Sequence, residues 1–195
     1  MGYCYLDMLI STSNMIPPVS LFSCDPTVEW MHCETTKDPN GTWRESWRAL
    51  EKAYAEGRVM SIGISNFNIN LLNELADFAV VKPHVVQNFA EPGNVDDDVR
   101  RWCADHGVIY QPYASIRNLH NLPVDLSNSL HRIAGEKSVS AHSVAIRFFI
   151  QSGSGVIPRS KNHSHLQENL EAFDYELTDS EMKELGWTGS LSSEL

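Results

Sequence analysis

Gly57-Arg58-Val59-Met60-Ser61-Ile62-Gly63-Ile64-Ser65-Asn66-Phe67 is the stretch that decides the fold. A helix stops at Gly57, a short apolar strand covers residues 59–64, and two small polar residues, Ser65 and Asn66, stand where that strand ends. In a parallel sheet covered by helices, the C-terminal edge of the strands is where ligands bind. The same residues begin like a hydrolase nucleophile elbow, but Phe67 occupies the place where a second glycine must keep that turn tight, which excludes that chemistry.

Upstream, residues 5–11 read as a buried strand, followed over residues 12–40 by an irregular stretch with Pro17, Pro18, Pro26 and Pro39. A loop of that length in a compact domain is generally functional or disordered. Thr42 with Glu45 makes a capping box, and Trp43, Trp47, Leu50 and Tyr54 then fall on one helical face as far as Gly57.

Downstream, Asn68 caps a helix with Leu71, Leu72, Leu75, Phe78 and Ala79 on its apolar face, ended by Lys82-Pro83. Residues 84–89 form a strand carrying Gln87. Asp96, Asp97 and Asp98 suit a solvated helix start, with Val99, Trp102 and Cys103 inward and Gly107 closing the helix. A strand over 108–113 follows, then one helix with Leu126, Leu130 and Ile133 and another, opened by Ser140, that buries Val144, Ala145, Phe148 and Phe149. Residues 155–158 give a last strand. Asn162 caps a helix through Leu166, Leu170 and Phe173, and Thr178 with Glu181 forms a second capping box for a terminal helix with Met182 and Leu185. Five strands alternating with helices imply a parallel α/β sheet in a single domain.

The totals narrow the function. A chain of 195 residues buries a good core but is short for a complete eight-stranded α/β barrel, which takes roughly 250. Fifteen basic against 25 acidic residues give a net charge of −10, which argues against a nucleic-acid or anionic-membrane partner, since both select basic patches. No stretch reaches membrane-spanning length, and no secretory leader is visible. Cys4, Cys24, Cys33 and Cys103 lack disulfide-scaffold or Cys-x-x-Cys spacing, which suits a reducing, cytoplasmic setting. Cys24, His32 and Cys33 lack the fourth ligand a zinc site needs. Neither a Gly-x-Gly-x-x-Gly nor a Walker loop is present.

Taken together, several separated pieces resemble the aldo-keto reductase family: the Ser65-Asn66 stretch, residues 5–10, Gln87, Tyr113, Val156-Ile157-Pro158-Arg159-Ser160, Glu168-Asn169-Leu170 and residues 173–177. The resemblance implies part of a (β/α)8 TIM barrel, beginning at its fourth strand, that binds NADP(H) and reduces small-molecule aldehydes or ketones to alcohols. In that register Ser65, Asn66 and Gln87 hold the nicotinamide carboxamide and Tyr113 stacks on the ring. Ile116 lies in the loop beyond Tyr113. Arg159 and Ser160, just before the Asn162 helix start, meet the 2′-phosphate, His165 stands where an arginine often reinforces that site, and Glu168 and Asn169 meet the adenine. Read singly, Tyr113 equally suits a core aromatic, and Arg159 and Lys161 ordinary surface charges. Ala114 stands where the resemblance implies a serine beside the stacking tyrosine, and Arg117 and Asn118 replace the small residues of its pyrophosphate loop.

The catalytic half of the resemblance is missing. The family's tyrosine acid, lysine and aspartate belong to strands before the fourth, and Thr12 stands where its histidine is expected. A hydroxyl there does not replace an imidazole donor. Two expectations stay open: a truncated portion of a longer oxidoreductase, or a noncatalytic pseudo-enzyme that binds nucleotide or protein. Either way, unpaired barrel edges at residues 5–11 and 155–158 invite self-association or a partner chain.

Overall fold

The computed structural model describes residues 43–189 together with the backbone of residues 8–12. The Thr42 cap, the stretch 13–40 with its cysteines, and the side chains of residues 5–12 therefore lie outside what is described. The chain divides into two compact units, residues 1–86 and 87–195, and each is taken by itself.

The first unit holds β1 (Met8–Thr12), α1 (Trp43–Ala55), β2 (Ser61–Ser65), α2 (Ile69–Phe78) and the first residues of β3 (Val85–Phe89). β1 and β2 are parallel neighbours with Met8 opposite Ser61 and Thr12 opposite Ser65. Four of the five β2 residues are buried, because the strand is covered on both faces, as its unbroken apolar run requires. Gly63 is there for space: a Cβ would come within 2.7 Å of the Val85 carbonyl oxygen. Gly57 is there for conformation, with φ +69 and no neighbour within 4 Å of a Cβ. It ends α1, whose buried face is Trp47, Leu50 and Ala53. α2 starts where the Asn68 side chain accepts the Leu71 N–H at 3.0 Å and buries Leu72 and Leu75.

The second unit holds the rest of β3, then α3 (Asp97–His106), β4 (Ile109–Tyr113), α4 (Val124–Lys137), α5 (Ala141–Gln151), α6 (His163–Glu171) and α7 (Asp179–Glu184). β3 and β4 are sheet neighbours. Leu130, Ile133, Val144, Phe148, Phe149, Met182 and Leu185 form its core. α5 buries seven of its eleven residues, consistent with its high apolar content. At α7 both halves of the capping box are made: Thr178 Oγ1 accepts the Glu181 N–H, and Glu181 Oε2 accepts the Thr178 N–H.

Three sequence expectations need correction. Four strands are formed among the described residues, and 155–158 is not a fifth. Gly155 donates its N–H to the Tyr110 carbonyl at 2.9 Å, but Pro158 has no N–H to continue a ladder. Asp96 is not a solvated helix start: it is half-buried with φ +53, and its Oδ2 accepts hydrogen bonds from Asn88 Nδ2 at 2.9 Å and the Tyr110 hydroxyl at 3.0 Å. Finally, α6 ends before Phe173 and buries none of its residues, so Leu166, Leu170 and Phe173 remain 45%, 61% and 61% exposed.

Candidate functional site

The second unit opens into a cleft of about 500 Å³ where β4 ends. Tyr113 is the last residue of the strand, half-buried, with its ring edge-on to Phe89 at 6.0 Å. Ala114 follows in the left-handed region, φ +57, a conformation that costs a non-glycine residue about 1–2 kcal/mol. A turn closed by the Arg117 N–H on the Ala114 carbonyl at 2.9 Å then brings Ser115, Ile116 and Arg117 to the same cleft.

The opposite lining comes from residues 157–160 and from α6. The start of that helix is a connected cap. Ser160 Oγ accepts the Asn162 N–H at 3.0 Å, and Asn162 Oδ1 accepts both the Ser164 N–H at 2.9 Å and the Ser164 hydroxyl at 2.8 Å. The first backbone N–H groups of a helix carry a partial positive charge, so this end suits an anion. His165, Glu168 and Asn169 project from the helix into the lining, and His142 joins it from the first turn of α5. Two guanidiniums, Arg117 and Arg159, thus share the cleft with one carboxylate, Glu168, and two imidazoles. The volume lies in the range of small-molecule sites.

Of the ten residues the sequence singles out, seven line this one cleft: Tyr113, Ile116, Arg159, Ser160, His165, Glu168 and Asn169. The other three lie elsewhere. Ser65, buried, and Asn66, at φ +60, close β2 in the first unit. Gln87 donates through Nε2 to Gln111 Oε1 at 2.7 Å, a side-chain link between β3 and β4. His142 was not singled out. Its signal was a negative one: the apolar spacing of Val144, Ala145, Phe148 and Phe149 leaves it off the buried face, which says where it does not point.

A second cleft, about 490 Å³, contains none of the ten. There the Arg100 guanidinium sits 4.0 Å over the Trp187 ring and 3.5 Å from Asp97, and burial holds its pKa below the ordinary arginine value. Among the described residues no group of three or more His, Cys, Asp or Glu side chains is arranged to hold a metal, and no helix is long and apolar enough to cross a membrane.

Residues 23–186 match the Aldo/keto reductase family, and the chain belongs to it. An uncharacterized oxidoreductase, YtbE, of Bacillus subtilis is 33% identical over 147 residues, 74% of this chain and 51% of that protein. Glyoxal reductase of the same organism is 31% identical, covering 73% and 51%. Among solved structures, an aldo/keto reductase from Brucella melitensis superposes with a TM-score of 0.66 at 29% identity, over 73% of this chain and 54% of that one. A mutant of Gox0644 in complex with NADPH gives 0.66 at 30% identity, over 75% and 56%. The fold is thus a partial (β/α)8 barrel, and the chain spans about half the length of the curated relatives it matches.

Proposed function

We propose that this chain binds NADP(H), with the 2′-phosphoadenosine end in the cleft beyond β4, and that it derives from an enzyme reducing small-molecule aldehydes or ketones to alcohols. The convergence of Tyr113, Arg159, Ser160, His165, Glu168 and Asn169 on one cleft carries this reading. Its donors fit a phosphate chemically: a forked guanidinium, a hydroxyl and a capped helix start, with a single carboxylate nearby. In this reading Arg159 and Ser160 hold the 2′-phosphate, Glu168 and Asn169 meet the adenine, and the Tyr113 ring offers a flat apolar face to the nicotinamide. The carboxamide role of Ser65, Asn66 and Gln87 rests on the family resemblance. When bound, the reduced dinucleotide supplies a hydride.

The 195-residue polypeptide is proposed to bind without turning over. Thr12 stands at the position of the family's substrate-side histidine, and a threonine hydroxyl is no proton donor near neutral pH. In this reading the threonine leaves the substrate carbonyl without the hydrogen bond an imidazole would donate, and positioned groups of that acid–base kind contribute about 10²–10⁴ in rate. NADPH oxidation measured with a panel of aldehydes is expected to stay at background while NADPH quenches the protein fluorescence saturably. Turnover abolished by a substitution within this chain would overturn the noncatalytic reading; absence of saturable quenching would overturn the binding one. The exposed Leu166, Leu170 and Phe173 also favour association with a second copy or a partner chain, which light scattering against concentration reads directly.

A further inference from the structure

We propose that Gln111 is a positioning residue of the dinucleotide site: it sets the sense of the Gln87 amide, so that Gln87 Oε1 accepts from the NH2 of the nicotinamide carboxamide. The inference rests on the reading of this chain as NADP(H)-binding and of Gln87 as a carboxamide contact. Its starting point is one bond, from Gln87 Nε2 to Gln111 Oε1 at 2.7 Å.

Along β3, Val86 and Asn88 are buried while Gln87 and Phe89 are half-buried; along β4, Tyr110 and Pro112 are buried while Gln111 and Tyr113 are half-buried. Side chains of a strand alternate between its faces, so the two glutamines and the two rings share the more open face of the sheet. Phe89 and Tyr113 meet edge-on there at 6.0 Å. The glutamine pair is the adjoining layer, two residues or about 7 Å back along the strands from the ring that lines the cleft. A nicotinamide stacked on Tyr113 carries its carboxamide on the ring edge, and this layer is where polar partners for it stand.

A glutamine amide has an acceptor end and a donor end of nearly the same shape, so what it meets decides which way round it stands. Gln111 decides this for Gln87: its carbonyl takes the Gln87 N–H, and a reversed Gln87 would set oxygen against oxygen. Gln111 is itself placed by Gly155, where a Cβ would stand 3.9 Å from Gln111 Nε2 and 4.0 Å from its Cγ. Its nitrogen end therefore points toward residue 155 and its oxygen end toward Gln87. That leaves the Gln87 oxygen for a donor on the ligand. A carboxamide supplies one through its NH2, whereas an acetyl group in the same place offers a methyl.

The test is fluorescence titration of the full 195-residue chain with three ligands: NADPH, its reduced 3-acetylpyridine analogue, and adenosine 2′,5′-bisphosphate, which has no nicotinamide. The first two carry the same charges, and the readout is the ratio of their dissociation constants. The unsubstituted chain is expected to prefer NADPH about tenfold, the order of one hydrogen bond. Gln111→Leu is expected to bring that ratio close to one and to leave the bisphosphate bound as before. Gln111→Glu keeps the acceptor and has no donor, so it is expected to retain the preference, a rescue that a merely structural role would not produce. Gln87→Leu should lose the preference as Gln111→Leu does, and the double substitution should lose no more. If the unsubstituted chain shows no preference, Gln111→Leu keeps it, or Gln111→Glu loses it, while NADPH and the bisphosphate still bind, the inference fails and the cofactor reading stands. If neither binds the unsubstituted chain, both fall.

Discussion

Glu51 on α1 accepts the backbone N–H of Val81, thirty residues away, at 2.9 Å, and the same oxygen takes the Val80 N–H at 2.7 Å. The carboxylate is buried, and Trp47 Nε1 and Arg48 complete its shell at 3.1 and 2.6 Å. It thereby fixes the irregular turn between α2 and β3, whose N–H groups have no ladder to join. Burial pushes its pKa up, but the Val81 N–H, Arg48 and the Val80 N–H outweigh burial and leave it below the ordinary 4.5. A carboxyl depressed in the folded state stabilises fully above its unfolded value and loses that contribution as pH falls through the folded one. Glu51→Ala is expected to cost about 2–4 kcal/mol at pH 7, since two backbone donors lose their acceptor. In urea unfolding, the gap between the unsubstituted chain and Glu51→Ala should narrow as pH is lowered below 4.5. A gap unchanged down to acid pH would show that the carboxylate charge is not what holds the turn.

Tyr110 and Asp96 form the corresponding buried link in the second unit. Burial first, then the Asp96 charge and hydrogen bond, raise the phenol pKa far above its ordinary value of 10. A group raised on folding stabilises fully below its unfolded pKa and loses that contribution as pH rises. Unfolding free energy is therefore expected to fall by about 1.4 kcal/mol more per pH unit above 10 in the unsubstituted chain than in Tyr110→Phe. At pH 7 the same substitution should cost about 1–3 kcal/mol, because Asp96 keeps its charge and loses a donor. Denaturant curves at pH 7, 10 and 11 check both, and parallel losses in the two proteins would contradict the link.

Cys103 lies against the same network, 1% exposed. Burial, with the Asp96 charge adding and Arg100 opposing, pushes its thiol up to about 12. Only the thiolate alkylates, so iodoacetamide at pH 8 is expected to leave the Cys103 peptide unlabelled in native protein and to label it on unfolding. Mass spectrometry of the digested chain reads this directly. Native labelling at the rate of a free thiol would mean that α3 opens readily.

What was legible in the sequence and what was not divides along physical lines. Caps were legible, because a side-chain oxygen two or three residues before an orphan N–H is a local feature: Asn68 takes the Leu71 N–H, Asn162 the Ser164 N–H and Thr178 the Glu181 N–H. The buried faces of α1, α2 and α5 were legible from apolar periodicity. Asp96 was misread because its partners, Asn88 and Tyr110, are brought to it only by the packing of β3 and β4. The edge at residues 155–158 was misread because an apolar run ending in proline looks like a strand until its bonds are counted. Most of the cleft was legible through family spacing, but His142 was not, since nothing local distinguishes an exposed helical histidine that faces a cleft from one that faces solvent.

Arg159 gives the most direct test of the cleft. It is exposed, it precedes the capped start of α6, and no ion pair to it is formed among the described residues. Its removal should therefore leave folding untouched, with a thermal midpoint equal to that of the unsubstituted chain. A guanidinium meeting a phosphate contributes about 1.5–3 kcal/mol, so Arg159→Ala is expected to weaken NADPH about ten- to hundredfold. NADH, which lacks the 2′-phosphate, should bind as before, and the difference between the two dinucleotides should nearly vanish. Arg159→Lys should recover part of the loss, because a lysine returns the charge but not the two-pronged geometry. Equal weakening of NADPH and NADH would place Arg159 against a part common to both, and the assignment of the 2′-phosphate to the start of α6 would have to be abandoned.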